Sequence, residues 1–151
     1  MIIETPIGPL HAKVDDEGRL VELKFWRGDE APHAQPAATS ARVVDQLREY
    51  FSGARKQFDL ALAPRGTEFQ LAVWNELLKI GYGETITYAE LARRIGKPSA
   101  VRAVGAANGA NPIPVIVPCH RVIGSNGTLT GYGGGIERKQ WLLALEGRRL
   151  F

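Results

Sequence analysis

The chain contains a single cysteine, Cys119, and this excludes two devices that can replace a large core in small folds. One thiol cannot form an intramolecular disulfide, and it cannot supply a zinc site that requires several thiolates. The sulfur of Cys119 is therefore available for chemistry. With 151 residues, 44% of them apolar and 23% charged, the chain can bury one core or two small ones and has an ordinary soluble composition.

Charge is distributed unevenly along the chain. Residues 1–64 contain 8 lysines and arginines against 10 acidic residues, whereas residues 65–151 contain 11 against 6, giving net charges of −2 and +5. The excess in the second part fits a surface that binds a polyanion and, equally, an ordinary solvated face. Because the sequence shows no membrane span and no start typical of a secretory signal, we expect a cytoplasmic protein.

The first 64 residues predict a small α+β domain, an antiparallel sheet with a helix. Apolar and polar residues alternate in its first part, turn signals interrupt the alternation, and an apolar face recurs at helical spacing further on. The elements expected are strands within 2–26 with turns at 6–9 and 15–18, a loop over 28–39, a helix from Ser40 to Phe51 built on Val43, Val44, Leu47, Tyr50 and Phe51, and a short strand near 57–62.

After a linker at 63–66, the second domain, 65–151, is predicted to be mainly helical. Thr67 with Gln70, and Thr87 with Glu90, each match a capping box, in which each side chain bonds the other residue's backbone amide. Each box marks the first turn of a helix.

A third helix is expected to begin at Ser99, as its N-cap, and to run to about Asn108, since Gly96 and Pro98 end the preceding helix. Two short helices joined by a tight Gly-Lys-Pro turn match a helix-turn-helix. Generic helical hairpins share this pattern.

The third helix carries one long cation, Arg102, on a face of small residues. Val101, Val104 and Asn108 fall on a different stripe, where the valines can anchor the helix. A smooth face with one projecting arginine suits insertion into a narrow groove of DNA. A helix that packs closely in a core is the alternative, because small residues also permit close approach; those on the Arg102 face are Gly105, Ala106 and Gly109.

Cys119 lies between Pro118 and the pair His120-Arg121, which places a thiol beside a base and a cation. Both neighbours favour the thiolate, the form in which cysteine is a nucleophile. A small buried apolar side chain is the alternative. In an extended segment Cys119 and His120 would point to opposite faces, so their cooperation requires a turn or a bridging water.

The segments around the cysteine have distinct patterns. Asn111, in the run Asn-Pro-Ile-Pro, predicts a turn in which its side chain bonds nearby backbone amides, and the apolar residues 115–117 predict a strand that leads to the cysteine. The glycine-rich residues 124–135 lack a nucleotide-loop signature and predict a hairpin and a pocket wall.

A last helix is predicted from Ile136 to Glu146, with Trp141, Leu142 and Leu145 packed inward. Glu146 falls at the rim of the apolar side. A carboxylate is unfavourable in the last turn of a helix, which argues for a compensating partner. An exposed glutamate is the alternative.

Taken together, these motifs closely resemble the O6-alkylguanine-DNA alkyltransferases, a family of direct-reversal DNA repair proteins. The resemblance covers residues 67–147, and the first domain is similar to the family's more variable, ribonuclease-H-like α+β domain. The segments that carry it are the helix-turn-helix, Asn111-Pro112-Ile113-Pro114, Pro118-Cys119-His120-Arg121-Val122, Gly131-Tyr132-Gly133-Gly134-Gly135 and the helix from Trp141 to Gly147.

The resemblance implies a catalytic group and an irreversible reaction. Cys119 matches the alkyl acceptor, His120 and Glu146 match a water-linked relay that removes the thiol proton, and Asn111 matches the residue that organises the turn beneath the site. The reaction is a single, suicidal transfer from O6-alkylguanine to sulfur, and it requires no metal and no organic cofactor.

The resemblance also implies two binding surfaces and a monomer that binds double-stranded DNA in the minor groove with the damaged base flipped out. On the DNA side, Tyr88 matches the tyrosine that crowds the target phosphate and Arg102 the finger that replaces the extruded base. The other expected DNA contacts are Ser99, Ala103 and Arg121, with Arg93, Arg94 and Lys97 as further basic candidates. The residues expected around the guanine are Val122, whose carbonyl reads the base, Tyr132, Gly133, Gly134, Lys139 and Pro114.

The sequence departs from the family pattern at two points, and three alternative functions are still compatible with it. The chain lacks the cysteines of the structural zinc found in some relatives, and Gly133 stands where other members have a serine. A module that senses alkylated bases without transfer, a transcription regulator and a cysteine hydrolase are the alternatives. The acceptor cysteine argues against the first, and the alanines and glycines of the third helix argue against a regulator that reads base edges.

Overall fold

In the computed structural model, which describes residues 2–28, 37–127, 132 and 134–147 (the backbone alone at 37–40), the chain divides into two units, Met1–Arg65 and Gly66–Phe151. The first begins with a sheet and a helix, and the second is mainly helical. The predicted α+β class is confirmed.

The sheet of the first unit has three antiparallel strands in the order β1-β2-β3. They are β1 (Ile2–Ile3), β2 (Leu10–Val14) and β3 (Leu20–Phe25). The β2–β3 turn is closed by Asp15, whose Oδ1 accepts the backbone amides of Glu17 and Arg19 at 3.0 and 2.9 Å. Both predicted turns lie between strands, so the alternation of the sequence located the sheet correctly.

The helix of the first unit, α1 (Ala37–Phe51), begins three residues before the predicted Ser40. Its Val43, Leu47 and Tyr50 are fully buried, as the 3.6-residue period predicts. Of the loop predicted over 28–39, residues 37–39 belong instead to α1, and residues 29–36 lie outside the described part.

The strand predicted near 57–62 is wrong. Only an isolated parallel bridge joins Leu20 to Leu62. The reason lies in Gln46 of α1, whose side-chain amide donates to the Asp59 carbonyl at 2.9 Å and accepts the Asp59 amide at 2.8 Å. A side chain thus satisfies the backbone groups that a strand partner would bond.

The second unit contains four helices, a short 3₁₀ turn and a two-stranded parallel pairing among its described residues. They are α2 (Glu68–Leu77), β4 (Ile86–Thr87), α3 (Tyr88–Arg94), α4 (Val101–Gly109), the 3₁₀ turn Cys119–Arg121, β5 (Val122–Ile123) and α5 (Ile136–Leu145). The β4–β5 pairing joins the start of α3 to the residues just after the cysteine. It fixes the predicted helix-turn-helix relative to Cys119.

The helix caps follow the prediction in part. Thr67 and Gln70 form the complete capping box of α2. Thr87 accepts the amide of Glu90 at 3.0 Å, but the Glu90 carboxylate bonds arginines of α3 instead of closing the box. Ser99 does not cap α4. The N-cap is Ala100, whose methyl side chain cannot make a capping bond, and a turn closed by Ala100 N to Lys97 O at 2.9 Å leads into the helix.

Helix α4 buries Val104, Ala107 and Asn108. Val101, expected as an anchor, is 37% exposed. Trp74 of α2 contacts the second half of the helix, where its indole Nε1 donates to the Ala107 carbonyl at 2.8 Å in the interior. Val104 and Asn108 of the predicted stripe are therefore confirmed as buried, whereas Val101 in the first turn is not.

The last helix, α5, also buries a different set from the one predicted. Leu142 is buried as expected, but the other buried residues are Leu143 and Lys139, while Trp141 and Leu145 are partly exposed. Across the described part of the chain, no helix is long and apolar enough to cross a membrane.

Candidate active site around Cys119

The turn that leads to the cysteine is organised by Asn111. Its Oδ1 accepts the amide of Ile113 at 3.0 Å, and its Nδ2 donates to the Val117 carbonyl at 2.8 Å. The Val117 amide closes the turn on the Ile113 carbonyl at 2.9 Å. The expected strand at 115–117 is wrong, because these residues turn sharply and Val115 has a φ of 74°.

The 3₁₀ turn Cys119–Arg121 supplies the turn that cooperation between neighbouring side chains requires. Cys119 is 5% exposed, its amide donates to the Val117 carbonyl at 2.8 Å, and its carbonyl accepts Asn108 Nδ2 at 3.3 Å. Two anchors, one from the preceding turn and one from α4, therefore hold the backbone of the cysteine.

The thiol of Cys119 is protonated at neutral pH. Burial raises its pKa from 9.0 to about 11, against a smaller lowering by a hydrogen bond from Asn111 and by the charge of Lys139. The expectation that its sequence neighbours favour the thiolate is wrong for the resting protein. Desolvation disfavours the anion in a closed site, and the cation of Arg121 is directed elsewhere.

Beside the cysteine, His120, Glu146 and Arg121 form a buried cluster. His120 Nε2 lies 2.9 Å from Glu146 Oε2, and Arg121 donates from Nε to Oε1 at 2.8 Å and from Nη2 to Oε2 at 2.9 Å. Burial alone would raise the pKa of Glu146, but hydrogen bonds from His120 and Arg121 prevail and lower it to about 2. Glu146 is thus ionised and buried, and His120 and Arg121 are the compensating partners expected for a carboxylate at the end of a helix. The alternative of an exposed glutamate is wrong.

The tautomer of His120 follows from this contact. Burial lowers the pKa of His120 despite the opposing effect of Glu146, so the imidazole is neutral at pH 7. A carboxylate only accepts hydrogen bonds, so Nε2 carries the proton and Nδ1 the lone pair. No partner for Nδ1 is found among the described residues. The fully buried imidazole can therefore accept a proton on its free side while Glu146 stabilises the resulting cation.

Arg121 does not lie where a phosphate contact requires it. Besides its two bonds to Glu146, it donates from Nη1 to the Ile80 carbonyl at 2.6 Å, and its guanidinium lies 5.8 Å from the centre of the Tyr82 ring. Only 8% of its side chain is exposed. The bonds of Arg121 within the protein therefore leave its guanidinium unavailable to a phosphate in this structure, and contact of this residue with DNA stays a prediction without structural support.

A second polar group adjoins the cysteine on the side of α5. Lys139 is fully buried, donates from Nζ to the Val122 carbonyl at 2.7 Å, and lies 5.9 Å from the centre of the Tyr88 ring. Burial lowers its pKa to about 8, although the nearby Cys119 has the opposite effect. Burial, followed by the charge of Cys119, raises the pKa of Tyr132.

These contacts place several of the expected guanine-pocket residues near the acceptor sulfur. Val122 and Lys139 are bonded to each other, and Tyr132 is partly buried. Pro114 and Gly134 are also partly buried, and Gly133 lies outside the described residues. That these residues hold guanine remains a prediction.

The expected DNA contacts lie on and before α4. Ser99, Arg102 and Ala103 are exposed, and Tyr88 is partly buried at the first position of α3. A Cβ on Gly105 would lie 3.9 Å from the Tyr88 ring, so the two helices approach closely there. Of the further basic candidates, Arg93 and Arg94 bond the carboxylate of Glu90 at 2.7 and 2.8 Å. Contact with DNA remains a prediction for all of them.

Two participants were missed by the sequence analysis. The carbonyl of Ile80 has no sequence signal at all, because any residue offers the same group. Asn108 did have one: an amide on the buried stripe of a helix needs an internal partner, and here the partner is the carbonyl of the acceptor cysteine.

Two family models match this chain. The one described as the DNA binding domain of 6-O-methylguanine DNA methyltransferase matches residues 68–148, and the one described as its ribonuclease-like domain matches residues 1–64. Together they account for nearly all of the sequence.

Known proteins match over the same length. The methylated-DNA–protein-cysteine methyltransferase of Methanosarcina acetivorans is 52% identical, with 97% of this chain and 96% of that protein covered. The protein of that name from Salmonella typhimurium is 45% identical, with 96% and 93% covered. The crystal structure of Mycobacterium tuberculosis OGT in complex with DNA superposes with a TM-score of 0.87 at 52% identity, covering 96% of this chain and 90% of that one. The resemblance inferred from the motifs is confirmed, and the chain belongs to the 6-O-methylguanine DNA methyltransferase family.

Proposed function

We propose that this protein repairs DNA by direct reversal, moving the alkyl group of an O6-alkylguanine irreversibly to Cys119. The observation that carries the proposal is the buried thiol next to a neutral imidazole whose far nitrogen is bonded to an ionised carboxylate. The family of the chain supports the same reaction. The domain of residues 65–151 would bind DNA and accept the alkyl group, and residues 1–64 would form the separate N-terminal domain.

The reaction begins with a protonated thiol, so a base must remove its proton as sulfur attacks. His120 Nδ1, which carries the lone pair, is the acceptor available in this cluster, and one water between the two groups completes the path. The S–C bond forms as the C–O6 bond breaks, the guanine anion takes a proton from water, and the hydroxide left behind takes the thiol proton from His120. The product is a thioether.

A thioether offers no carbonyl for water to attack, and nothing in the chemistry regenerates the thiol. We therefore expect one transfer per protein molecule. Burial of Cys119 serves this reaction, because a low-polarity site strengthens the electrostatic interactions that stabilise the transfer.

A buried sulfur cannot reach a base that remains stacked in a duplex. Extrusion of the nucleotide costs a few kcal/mol of stacking and pairing, and less at a weakened alkylated pair. Arg102, exposed on α4, would fill the gap from the minor groove, and Tyr88 would crowd the target phosphate. The partner is double-stranded DNA, bound by a monomer in the cytoplasm, with Ser99 and Ala103 along the contact.

The extruded guanine would lie against the residues that adjoin the sulfur. The Val122 carbonyl has a second lone pair beside the one that Lys139 occupies, and it can accept from the base. Tyr132, Gly133, Gly134 and Pro114 would form the rest of this pocket.

The direct test is intact-protein mass spectrometry after incubation with duplex DNA that contains O6-methylguanine. We expect the mass to rise by one methyl group, located at Cys119, with a stoichiometry of one. Cys119→Ala is the matched control and should stay unmodified. A methylated alanine variant would contradict the assignment of the acceptor. Tight binding of the lesion by wild-type protein whose thiol stays intact would instead favour the sensing module.

A further inference from the structure

Arg121 uses its whole guanidinium inside the protein. Two nitrogens contact the two oxygens of Glu146, and the third donates to the carbonyl of Ile80, which follows α2. The pairing with Glu146 is bidentate, the geometry in which an arginine holds a carboxylate most firmly. The Ile80 carbonyl is part of the backbone and cannot move away independently. Glu146 is therefore fixed in position by a cation that is itself fixed.

The groups that face Glu146 come from several parts of the second unit. His120 and Arg121 approach from the 3₁₀ turn and bond it directly. Three other titratable side chains affect this cluster through their charges or are affected by it: Tyr82, which precedes β4, Tyr132, and Lys139 on α5. Arg121 is the only one of these groups that is both permanently charged and bonded to both carboxylate oxygens.

We propose that Arg121 is a positioning residue for alkyl transfer, which keeps Glu146 a carboxylate throughout the reaction so that the thiol proton rests on His120. This inference rests on the proposed function. It differs from a relay in which the proton passes on to Glu146, and it gives the arginine of the Pro-Cys-His-Arg-Val motif a task other than contact with DNA.

The step balances without another reactant. The proton leaves Sγ and is held at His120 Nδ1 while Nε2 keeps its own proton and donates to Glu146. The cluster then contains an imidazolium, a carboxylate and a guanidinium, with a net charge of +1 opposite the thiolate. Had Glu146 taken the proton, the net charge would still be +1, but the imidazole and the carboxyl group would both be neutral, and Glu146 would lose the two charge-assisted bonds from Arg121. The bidentate pairing therefore keeps the proton on His120 and off Glu146.

Replacing Arg121 should change the pH dependence of the transfer rate, which a general loosening of the fold would not change. In Arg121→Gln, Glu146 stays buried but loses both charged bonds, so its pKa rises and it becomes protonated as the pH falls towards neutrality. A protonated Glu146 no longer stabilises the imidazolium. As the pH is lowered, the rate of transfer by the variant should therefore begin to fall at least one pH unit above the point at which the wild-type rate falls.

The experiment measures the single-turnover rate of transfer from O6-benzylguanine, used as the free base so that phosphate contacts play no part, between pH 5 and 9. The ratio of the Arg121→Gln rate to the wild-type rate should be about tenfold lower at pH 6 than at pH 8.5, the loss expected when about nine-tenths of the variant's Glu146 is protonated at pH 6. Arg121→Lys, which keeps the charge without the fork, should recover part of the difference. Arg42→Gln, at an exposed arginine of α1 in the first unit, should follow the wild-type profile.

A profile of folded Arg121→Gln that superposes on the wild type after scaling would overturn the inference. If that variant does not fold, the carboxyl carbon of Glu146 can be titrated in the wild type by ¹³C NMR, with Glu146→Gln to assign the signal. We expect no titration of this carbon between pH 5 and 8, and an inflection there would refute the proposal. A wild-type protein that leaves Cys119 unmodified at every pH would instead refute the proposed function itself.

Discussion

Val115 occupies a backbone conformation that its side chain disfavours, and glycine substitutions can measure the cost. Its φ of 74° makes it the one described non-glycine residue with a positive φ, and it lies four residues before the acceptor cysteine. Val117, two residues later, has the same side chain and is equally buried, at 1% exposure, without a positive φ. Val115→Gly and Val117→Gly therefore form a matched pair.

Most contributions to stability cancel between the two variants. Each loses a buried valine side chain, which costs about 1.5–3 kcal/mol, and each gains the conformational freedom of glycine in the unfolded chain, about 0.5–1 kcal/mol more. Only Val115→Gly also removes the left-handed backbone penalty, about 1–2 kcal/mol for a residue with a Cβ. We expect Val117→Gly to lose about 2–4 kcal/mol of unfolding free energy and Val115→Gly about 1–2 kcal/mol less.

Equilibrium urea unfolding under reducing conditions, followed by tryptophan fluorescence and by circular dichroism, gives the two free energies of unfolding. Equal slopes with respect to urea are required for the comparison, because a changed slope would indicate a changed unfolded state. If Val115→Gly is as destabilising as Val117→Gly, or more so, the turn is not strained and the reasoning fails.

Three further predictions concern the rest of the second unit. Arg102→Ala should slow repair of O6-methylguanine in duplex DNA more than transfer from free O6-benzylguanine, measured as single-turnover rates, and equal losses would exclude the finger role. Trp74→Phe should reduce the unfolding free energy in urea by about 0.5–1.5 kcal/mol, because the Ala107 carbonyl loses the indole donor and keeps only the bond from the Ala110 amide at 3.2 Å; an unchanged midpoint would contradict this. For pH, the folded-state pKa of Lys139 is lowered from 10.5 to about 8 and that of Cys119 is raised from 9.0 to about 11. Between pH 8 and 9 the unfolded chain therefore binds more protons than the folded protein, and the free energy of unfolding should rise with pH by at most about 1.4 kcal/mol. Lys139→Met should abolish this rise. A free energy of unfolding that falls with pH in the wild type would contradict the lowered pKa of Lys139.

The sequence was most informative where a signal is local. The capping box of Thr67 was recognised correctly because its two bonds join residues three apart, and the Asx turn of Asn111 for the same reason. The family could be recognised from the sequence because its motifs, above all the run around Cys119, combine several residue types at fixed spacing. The match to the family model confirmed it.

Predictions failed where partners distant in sequence compete. Ser99 is a local exception: it has the chemistry of a cap, but the turn closed by Ala100 N and Lys97 O makes Ala100 the N-cap of α4. Arg121 has the charge for a phosphate, yet it bonds Glu146, 25 residues away, and the carbonyl of Ile80, 41 residues away. In the segment predicted as a strand near 57–62, the backbone of Asp59 bonds the side-chain amide of Gln46, 13 residues away, instead of a strand partner.

By itself the sequence determined which groups could react: a single thiol, a neighbouring imidazole and a carboxylate at the end of the last helix. Only the tertiary structure decided their states. Burial makes Cys119 a thiol and His120 a neutral base, and the guanidinium of Arg121 keeps Glu146 ionised. These states depend on desolvation and on contacts between distant segments, and neither can be read from the order of residues along the chain.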